Sequence, residues 1–424
     1  MAYAIGVILF ALGIVISISL HEAGHMFSAR AFGMKVSRYF IGFGPTIFSF
    51  RRGEVEYGLK AIPAGAFVKI DGMTQQEDDE EVPEKDKHRV FWRKPVWQRT
   101  IVLVAGSVTH FVLAFVLMWV TASFVGVPNP KLADYDSGNV PAVIGSLSSC
   151  VHVKYDPKDP YEEHCTTGDP TAPARAAGIK PGDRITSIGG TRVSTYEQLV
   201  KTTQHSPAGP IKVTYVRDGA THTTTVTLIQ AQRPTGGTAQ DPTLADVSVL
   251  GVTLASPQAM GIHTTVTYGP VQGVVVAGKL YWQTVTGMGH AIVQFPQQIP
   301  NLISSLAGGQ RSQSSPMSVV GASRLGGQTV ELHAWWFFLL LLAQLNLFIG
   351  IFNLIPLLPL DGGHVLIAWF EKARSWFAAR RGRPDPGRVD YLKLMPITYA
   401  FVILFGGLAV LTIAADIVNP VTLN

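Results

Sequence analysis

The sequence predicts a polytopic α-helical membrane protein with four transmembrane helices, a membrane-associated β-hairpin region and one compact α+β domain outside the membrane. Three observations carry this. The composition is too apolar for an ordinary soluble enzyme, with 47% hydrophobic and 15% charged residues and a mean hydropathy of +0.24. Four windows, roughly 3–28, 101–127, 335–358 and 395–419, reach the ~20 apolar residues that a bilayer core requires. Finally, Lys and Arg cluster beside the ends of those windows and thin out over the long middle of the chain.

The first window opens the segment 1–38. No basic residue precedes Arg30, so the window reads as a retained helix and not as a cleaved signal. Segment 29–100 carries 13 Lys and Arg and segment 364–394 carries 7, whereas the much longer 125–334 carries 14. The dense segments belong in the cytoplasm, which puts both termini and the middle segment outside. The net charge of +5 comes from these juxtamembrane clusters and implies no nucleic-acid partner. The acidic run Glu77–Glu81 reads as a solvated loop.

Residues 39–70 lose helical periodicity and turn β-branched and aromatic, with Arg51-Arg52-Gly53-Glu54 as a turn between two strands. The segment 39–100 is therefore a cytoplasmic-side reentrant β-region and loop, sheltered by helices because bare strand edges are not tolerated in lipid. The second span covers 101–127. In the outside segment 128–258, residues 172–258 run turn, strand, Gly189-Gly190 hairpin turn, amphipathic helix and further strands near 211–217, 222–230 and 247–254. That order resembles a PDZ domain, which captures extended peptide along a sheet edge. Cys150 and Cys165 both fall outside, where a disulfide is permitted and two free thiols are the alternative. An amphipathic linker, 259–334, with a surface helix at 268–297, precedes the third span at 335–364. A cytoplasmic loop, 365–394, and a fourth span, 395–424, complete the chain.

Chemistry concentrates at two places. His21-Glu22-Ala23-Gly24-His25 puts two imidazoles on one helix face, one turn apart, where they can share a zinc ion while Glu22 handles the attacking water. A catalytic zinc needs a third protein ligand. "FNLIPLLPLDGGH", residues 352–364, offers Asp361, presented from backbone that Pro356 and Pro359 break and Gly362-Gly363 turn sharply. The Lys and Arg topology brings the inner ends of the first and third spans, and so all three groups, to one level. Asn353 reads either as an oxyanion donor or as a partner for carbonyls freed by the prolines. His364 is a weaker fourth-ligand candidate, His110 reads as an interhelical hydrogen bond, and Gly24 as a close helix contact.

These residues are similar to those of the site-two protease family of intramembrane zinc metalloproteases, particularly its actinobacterial branch. His21–His25 resembles the family's zinc helix, Asn353 through Gly362 its second signature, and Gly42–Pro45 with Ile62–Gly65 its reentrant β-region. The resemblance implies a zinc cofactor and cleavage of a single-span membrane protein, such as an anti-sigma factor already trimmed outside. It also implies a PDZ-like domain that filters untrimmed substrate, its groove either taking a peptide ligand or only obstructing. Ser107 and His110 depart from the family's usual Pro and Asn, and Ala66 from a usual Gly. Two other readings stand beside it: a membrane-anchored PDZ scaffold with a structural zinc, and a metal transporter using intramembrane histidines.

Overall fold

The computed structural model describes residues 1–73, 82–155, 165–237, 242–306 and 315–421; the acidic run Glu77–Glu81 lies outside them. The chain divides into two units, residues 1–126 with 267–424, and residues 127–266.

The larger unit begins with α1 (Ala2–Ala31), a largely apolar helix without proline. It stops where Gly33 takes a left-handed φ of +66° and Met34 N–H closes back on the Ala29 carbonyl. Strands β1 (Val36–Arg52) and β2 (Val55–Ile70) follow, joined at Gly53, whose φ of +64° suits glycine. Each strand bends back, so that residues 38–41 of β1 pair with 66–69 of β2 on one side and with 56–59 on the other. The result is a small four-segment sheet with residues 66–70 along one edge. Pro95 then opens α2 (Val96–Val120), which ends in a wide turn over Thr121–Val125.

The smaller unit contains β3 (Val127–Pro128), α3 (Lys131–Asp136), β4 (Ile144–Leu147), α4 (Pro173–Ala176), β5 (Arg184–Ile188), β6 (Thr191–Arg192), α5 (Tyr196–His205), β7 (Gly209–Arg217), β8 (Ala220–Gly237), β9 (Pro242–Val249), β10 (Val252–Leu254) and β11 (Thr265–Val266). Five strands form an antiparallel sheet in the order β6-β5-β7-β8-β9. Ile185, Ile188, Val213, Val226 and Leu228 pack with Leu199 of α5 in its core. Thr195 caps α5 by accepting from Gln198 N–H, and Gln198 Oε1 accepts from Ser194 N–H in return, a reciprocal box that fixes where the helix starts. Arg217 donates two 2.7 Å bonds to the buried Asp183 carboxylate, and Lys180 N–H donates a third. Burial alone would raise the Asp183 pKa, but these donors outweigh it and hold the group below the usual carboxylate value. Cys150 and Cys165 form a disulfide.

The chain returns to the larger unit through α6 (Gly269–Leu306) and α7 (Val319–Glu331), so the stretch 259–334, expected as a linker, is largely helical. Small residues explain how α7 lies against α1: a Cβ on Gly6 would come within 2.8 Å of the Gly326 carbonyl and the Gly327 Cα. Three further helices follow, α8 (Trp335–Asn353), α9 (Asp361–Arg380) and α10 (Met395–Val418). The third apolar helix therefore ends at Asn353 and does not run on through 364. Pro356 and Pro359 remove two donors and force irregular backbone over 354–360, and Asp361 opens a new helix that fills half of the expected loop 365–394. Among the described residues, four helical segments, Ala2–Ala31, Val96–Val125, Trp335–Asn353 and Tyr391–Val418, are long and apolar enough to cross a membrane.

Candidate metal centre

One helical turn separates His21 from His25 near the end of α1, and their rings meet edge to face with Nε2 atoms 3.1 Å apart. Asp361 comes to them from the first residue of α9. Its Oδ2 lies 3.3 Å from His21 Nε2 and 3.4 Å from His25 Nε2. The three groups each offer a ligand atom within 4.8 Å of the others, and among the described residues they are the one such cluster. Both histidines are buried and Asp361 is nearly so. Asp361 Oδ2 has no hydrogen-bond partner among the described residues. A buried carboxylate oxygen facing two imidazole nitrogens with no donor of its own fits a divalent cation, and the two-nitrogen, one-oxygen donor set fits zinc.

The surroundings decide which nitrogens face the centre. His25 Nδ1 lies 2.7 Å from the Val102 carbonyl, an acceptor only, so Nδ1 carries the proton and Nε2 presents its lone pair. Gly106 of α2 lies against both imidazole rings. A Cβ there would be 2.4 Å from His25 Nε2 and 2.7 Å from His21 Nε2. Gly24 works on the same helix pair, because its Cβ would meet Thr109 Oγ1 at 2.5 Å and the Ala105 carbonyl at 2.7 Å. The sequence signal for Gly24 was its position between two histidines; Gly106 carried no such signal.

Gly362 and Gly363 play a different part from the turn expected of them. Both belong to the first turn of α9, and neither adopts a left-handed φ. Their missing side chains instead let the irregular segment fold back. A Cβ on Gly362 would reach the Leu354 carbonyl at 2.3 Å, and one on Gly363 would reach the Leu357 carbonyl carbon at 2.6 Å. The pair therefore fixes Asp361 by close packing of loop on helix.

Glu22 directly follows His21 in sequence, and its side chain is held by the sheet. Its Oε2 accepts a 3.0 Å bond from Val68 N–H on the edge segment of β2. Tyr39 Oη, from the neighbouring segment, donates to the Ser19 carbonyl at 2.7 Å, which seats the sheet on α1. The half-buried Asn353 ends α8, and its side-chain amide makes no hydrogen bond among the described residues. His364 stands outside the ligand cluster, 3.4 Å from Tyr391 Oη.

His110 makes the expected interhelical bond. Its Nδ1 donates to Asn346 Oδ1 at 2.8 Å, while Asn346 Nδ2 donates to the Leu342 carbonyl at 2.8 Å and to Ser17 Oγ at 3.1 Å. Asn346 is fully buried and was not singled out from the sequence, where a lone Asn in "LLAQLNLF" has no spacing to mark it. The His110 ring also lies 4.9 Å, centroid to centroid, from that of His21.

Helices long and apolar enough to span a bilayer, with a zinc-compatible cluster formed by two histidines of one of them and the first residue of α9, fit a membrane-embedded metalloenzyme. Comparison with known proteins gives the class its particular form. A family model described as Peptidase family M50 matches residues 9–384. The chain is 39% identical over 427 residues to the zinc metalloprotease Rip1 of Mycolicibacterium smegmatis, covering all of both chains. It is 38% identical to the Rip1 of Mycobacterium tuberculosis, again over both full lengths. A putative zinc metalloprotease of Neisseria meningitidis is 26% identical over 91% of this chain and 93% of its own. The chain belongs to peptidase family M50, the site-two proteases, and is an intramembrane zinc metalloprotease.

Proposed function

We propose that this protease hydrolyses a peptide bond in or near the transmembrane segment of a single-span membrane protein, an anti-sigma factor trimmed outside by an earlier protease. His21, His25 and Asp361 hold the zinc, and Glu22 is the general base. The observation that carries this reading is the convergence of three buried ligand atoms beside a carboxylate that is not one of them. Zinc at such a site supplies Lewis-acid polarisation of the scissile carbonyl and an activated water. The chain's own work is then proton handling and positioning. Glu22 takes the proton at its carboxylate and returns it to the leaving amine. Val68 N–H keeps that carboxylate turned toward the ligands. Asn353, at the mouth of the irregular segment, is placed in the oxyanion-donor role.

A transmembrane helix hides its carbonyls in its own hydrogen bonds, so the substrate must be unwound. Residues 66–70 form a sheet edge beside Glu22, which supports strand addition as the means of holding the chain extended. The dense Lys and Arg segments favour termini and smaller unit outside, with the metal site toward the cytoplasm. In the smaller unit, the antiparallel sheet with α5 supports the PDZ-like reading, in which the unit takes a peptide ligand or excludes untrimmed substrate.

The test compares the parent with Glu22→Gln in detergent, measuring zinc content and cleavage of a single-span substrate. The expected result is about one zinc per chain in both and a loss of ~10²–10⁴-fold in cleavage for the variant. Equal cleavage by both would overturn the assignment of Glu22. Zinc in both with no cleavage of any substrate by either would favour the scaffold.

A further inference from the structure

Helix α9 carries a surface that the metal site does not use. Leu366, Trp369, Phe370, Trp376 and Phe377 are 46–54% exposed, and at spacings of 3, 4, 10 and 11 from Leu366 they fall on one helical face. Its other side is covered: Ile367, Ala368 and Ala378 are buried and Glu371 pairs with Arg99 at 3.2 Å, while at the edge of the stripe Trp369 Nε1 donates to Thr100 Oγ1 at 3.0 Å. Cations follow the stripe. The Arg380 guanidinium stacks 3.9 Å over Trp376, and Arg380, Arg381 and Arg383 are exposed, with no ion pair among the described residues.

What covers such a face follows from where the helix is fixed. Arg99 and Thr100 belong to the first turns of α2, so α9 is pinned at the level where that span begins. The first residues of α2 include Trp97, 51% exposed, whose ring packs edge to face on Phe32 just beyond α1. Residues 354–360 tie α9 to the end of one span and residues 381–394 to the start of the next. A helix tethered at both ends to spans, with an aromatic stripe and free arginines, has the make-up of one lying in a bilayer interface.

We propose that α9 is an interfacial helix, its aromatic face seated in the acyl boundary and its Arg380, Arg381 and Arg383 side chains on anionic headgroups. The occupant of this surface is the lipid leaflet. Because Asp361 is the first residue of α9, the seating of the helix also sets the depth of that carboxylate relative to α1.

Cys150 and Cys165 are bridged and no other cysteine exists, so a single introduced cysteine can be spin-labelled in the full chain. Label is placed at Phe370→Cys, Phe377→Cys and, off the stripe on an exposed position, Ala379→Cys. The proteins go into vesicles of phosphatidylcholine alone, or with about one-third phosphatidylglycerol. Collisions with oxygen, which concentrates in lipid, are compared with those of a water-soluble nickel chelate. Oxygen should dominate at 370 and 377 and nickel at 379. Phosphatidylglycerol should deepen 370 and 377, and an Arg380→Gln, Arg381→Gln, Arg383→Gln variant should lose that response while keeping the stripe in lipid. Positions 370 and 377 shielded from both reagents would mean that protein covers the face, and nickel access equal to that at 379 would mean that water does. Either overturns the proposal. An unchanged response in the arginine variant overturns its headgroup half. The readout is independent of cleavage, so it stands or fails apart from the proteolytic assignment.

Discussion

Gly106 is the position at which one added methyl group should separate metal binding from fold. The Cβ of Gly106→Ala would lie 2.4 Å from His25 Nε2, 2.5 Å from His21 Cε1 and 2.7 Å from His21 Nε2. Carbon and nitrogen in ordinary contact stand about 3.5 Å apart, so relief requires the rings and α2 to separate by ~0.8–1.1 Å. Metal–ligand distances tolerate only ~0.2 Å, and catalytic groups ~0.5 Å. The His25 ring cannot simply swing aside, because its Nδ1 is tied to the Val102 carbonyl of the same helix α2. A displacement of this size costs on the order of 10²-fold in activity and 10–100-fold or more in zinc affinity. The assay is chelator competition for zinc on the purified full chain, followed by cleavage at saturating zinc. Ser107→Ala is the control, since the buried Ser107 Oγ has no hydrogen-bond partner among the described residues and its removal should leave zinc affinity unchanged. Gly106→Ala with the parent's zinc affinity would refute the argument that α2 shapes the site. A variant that loses zinc but keeps the parent's disulfide and protease-resistant core would confirm it as local.

Three further outcomes follow from the same geometry. His110→Phe keeps a ring against His21 and should retain zinc affinity to within about threefold, whereas His110→Ala opens a cavity there and should weaken it by ~10-fold; cobalt substitution reads both, and equal spectra for the two variants would remove His110 from any positioning role. Ala66→Pro deletes a donor two residues from Val68, on the same side of the edge, and should lower cleavage at least ~10-fold while zinc content stays at the parent's level. The third concerns pH. Arg89 and Lys35 bond to Glu54 and pull its pKa down to about 2, and Lys35 chiefly lowers that of Asp86, so the hairpin turn is clamped to residues 84–89. Depressed carboxylates stabilise above their unfolded pKa values and lose the effect as pH falls through the folded ones. Amide exchange at Phe91, bonded to the Asp71 carbonyl, should therefore match its intrinsic pH dependence from pH 7 to 5, and protection should fall progressively between about pH 4 and 2.

The legible part of this molecule is the part written in local spacing, and the illegible part is what depends on contact between distant helices. His21 and His25 are one turn apart on any helix, so their shared face needed no tertiary information, and the four apolar runs were long enough to read by length alone. Asp361 could be found because prolines and glycines mark broken backbone, yet the use of those glycines was misread. A glycine pair looks the same in sequence whether it supplies a left-handed turn or admits a neighbouring carbonyl, and only the position of the 354–358 backbone against Gly362 and Gly363 distinguishes them. Gly106 and Asn346 were silent for the same reason. Their partners, His21 with His25 and His110 with Ser17, lie on other helices, and nothing within a turn of either residue announces the contact. The end of α8 at Asn353 shows the converse limit. Hydropathy continued through Ile355 and Leu358, so an apolar window extended the span, while the missing proline donors ended the helix and let Asp361 begin another. Because the carboxylate stands at the start of a new helix, its place depends on how that helix is seated, and the apolar and basic faces of α9 become part of the metal site's support.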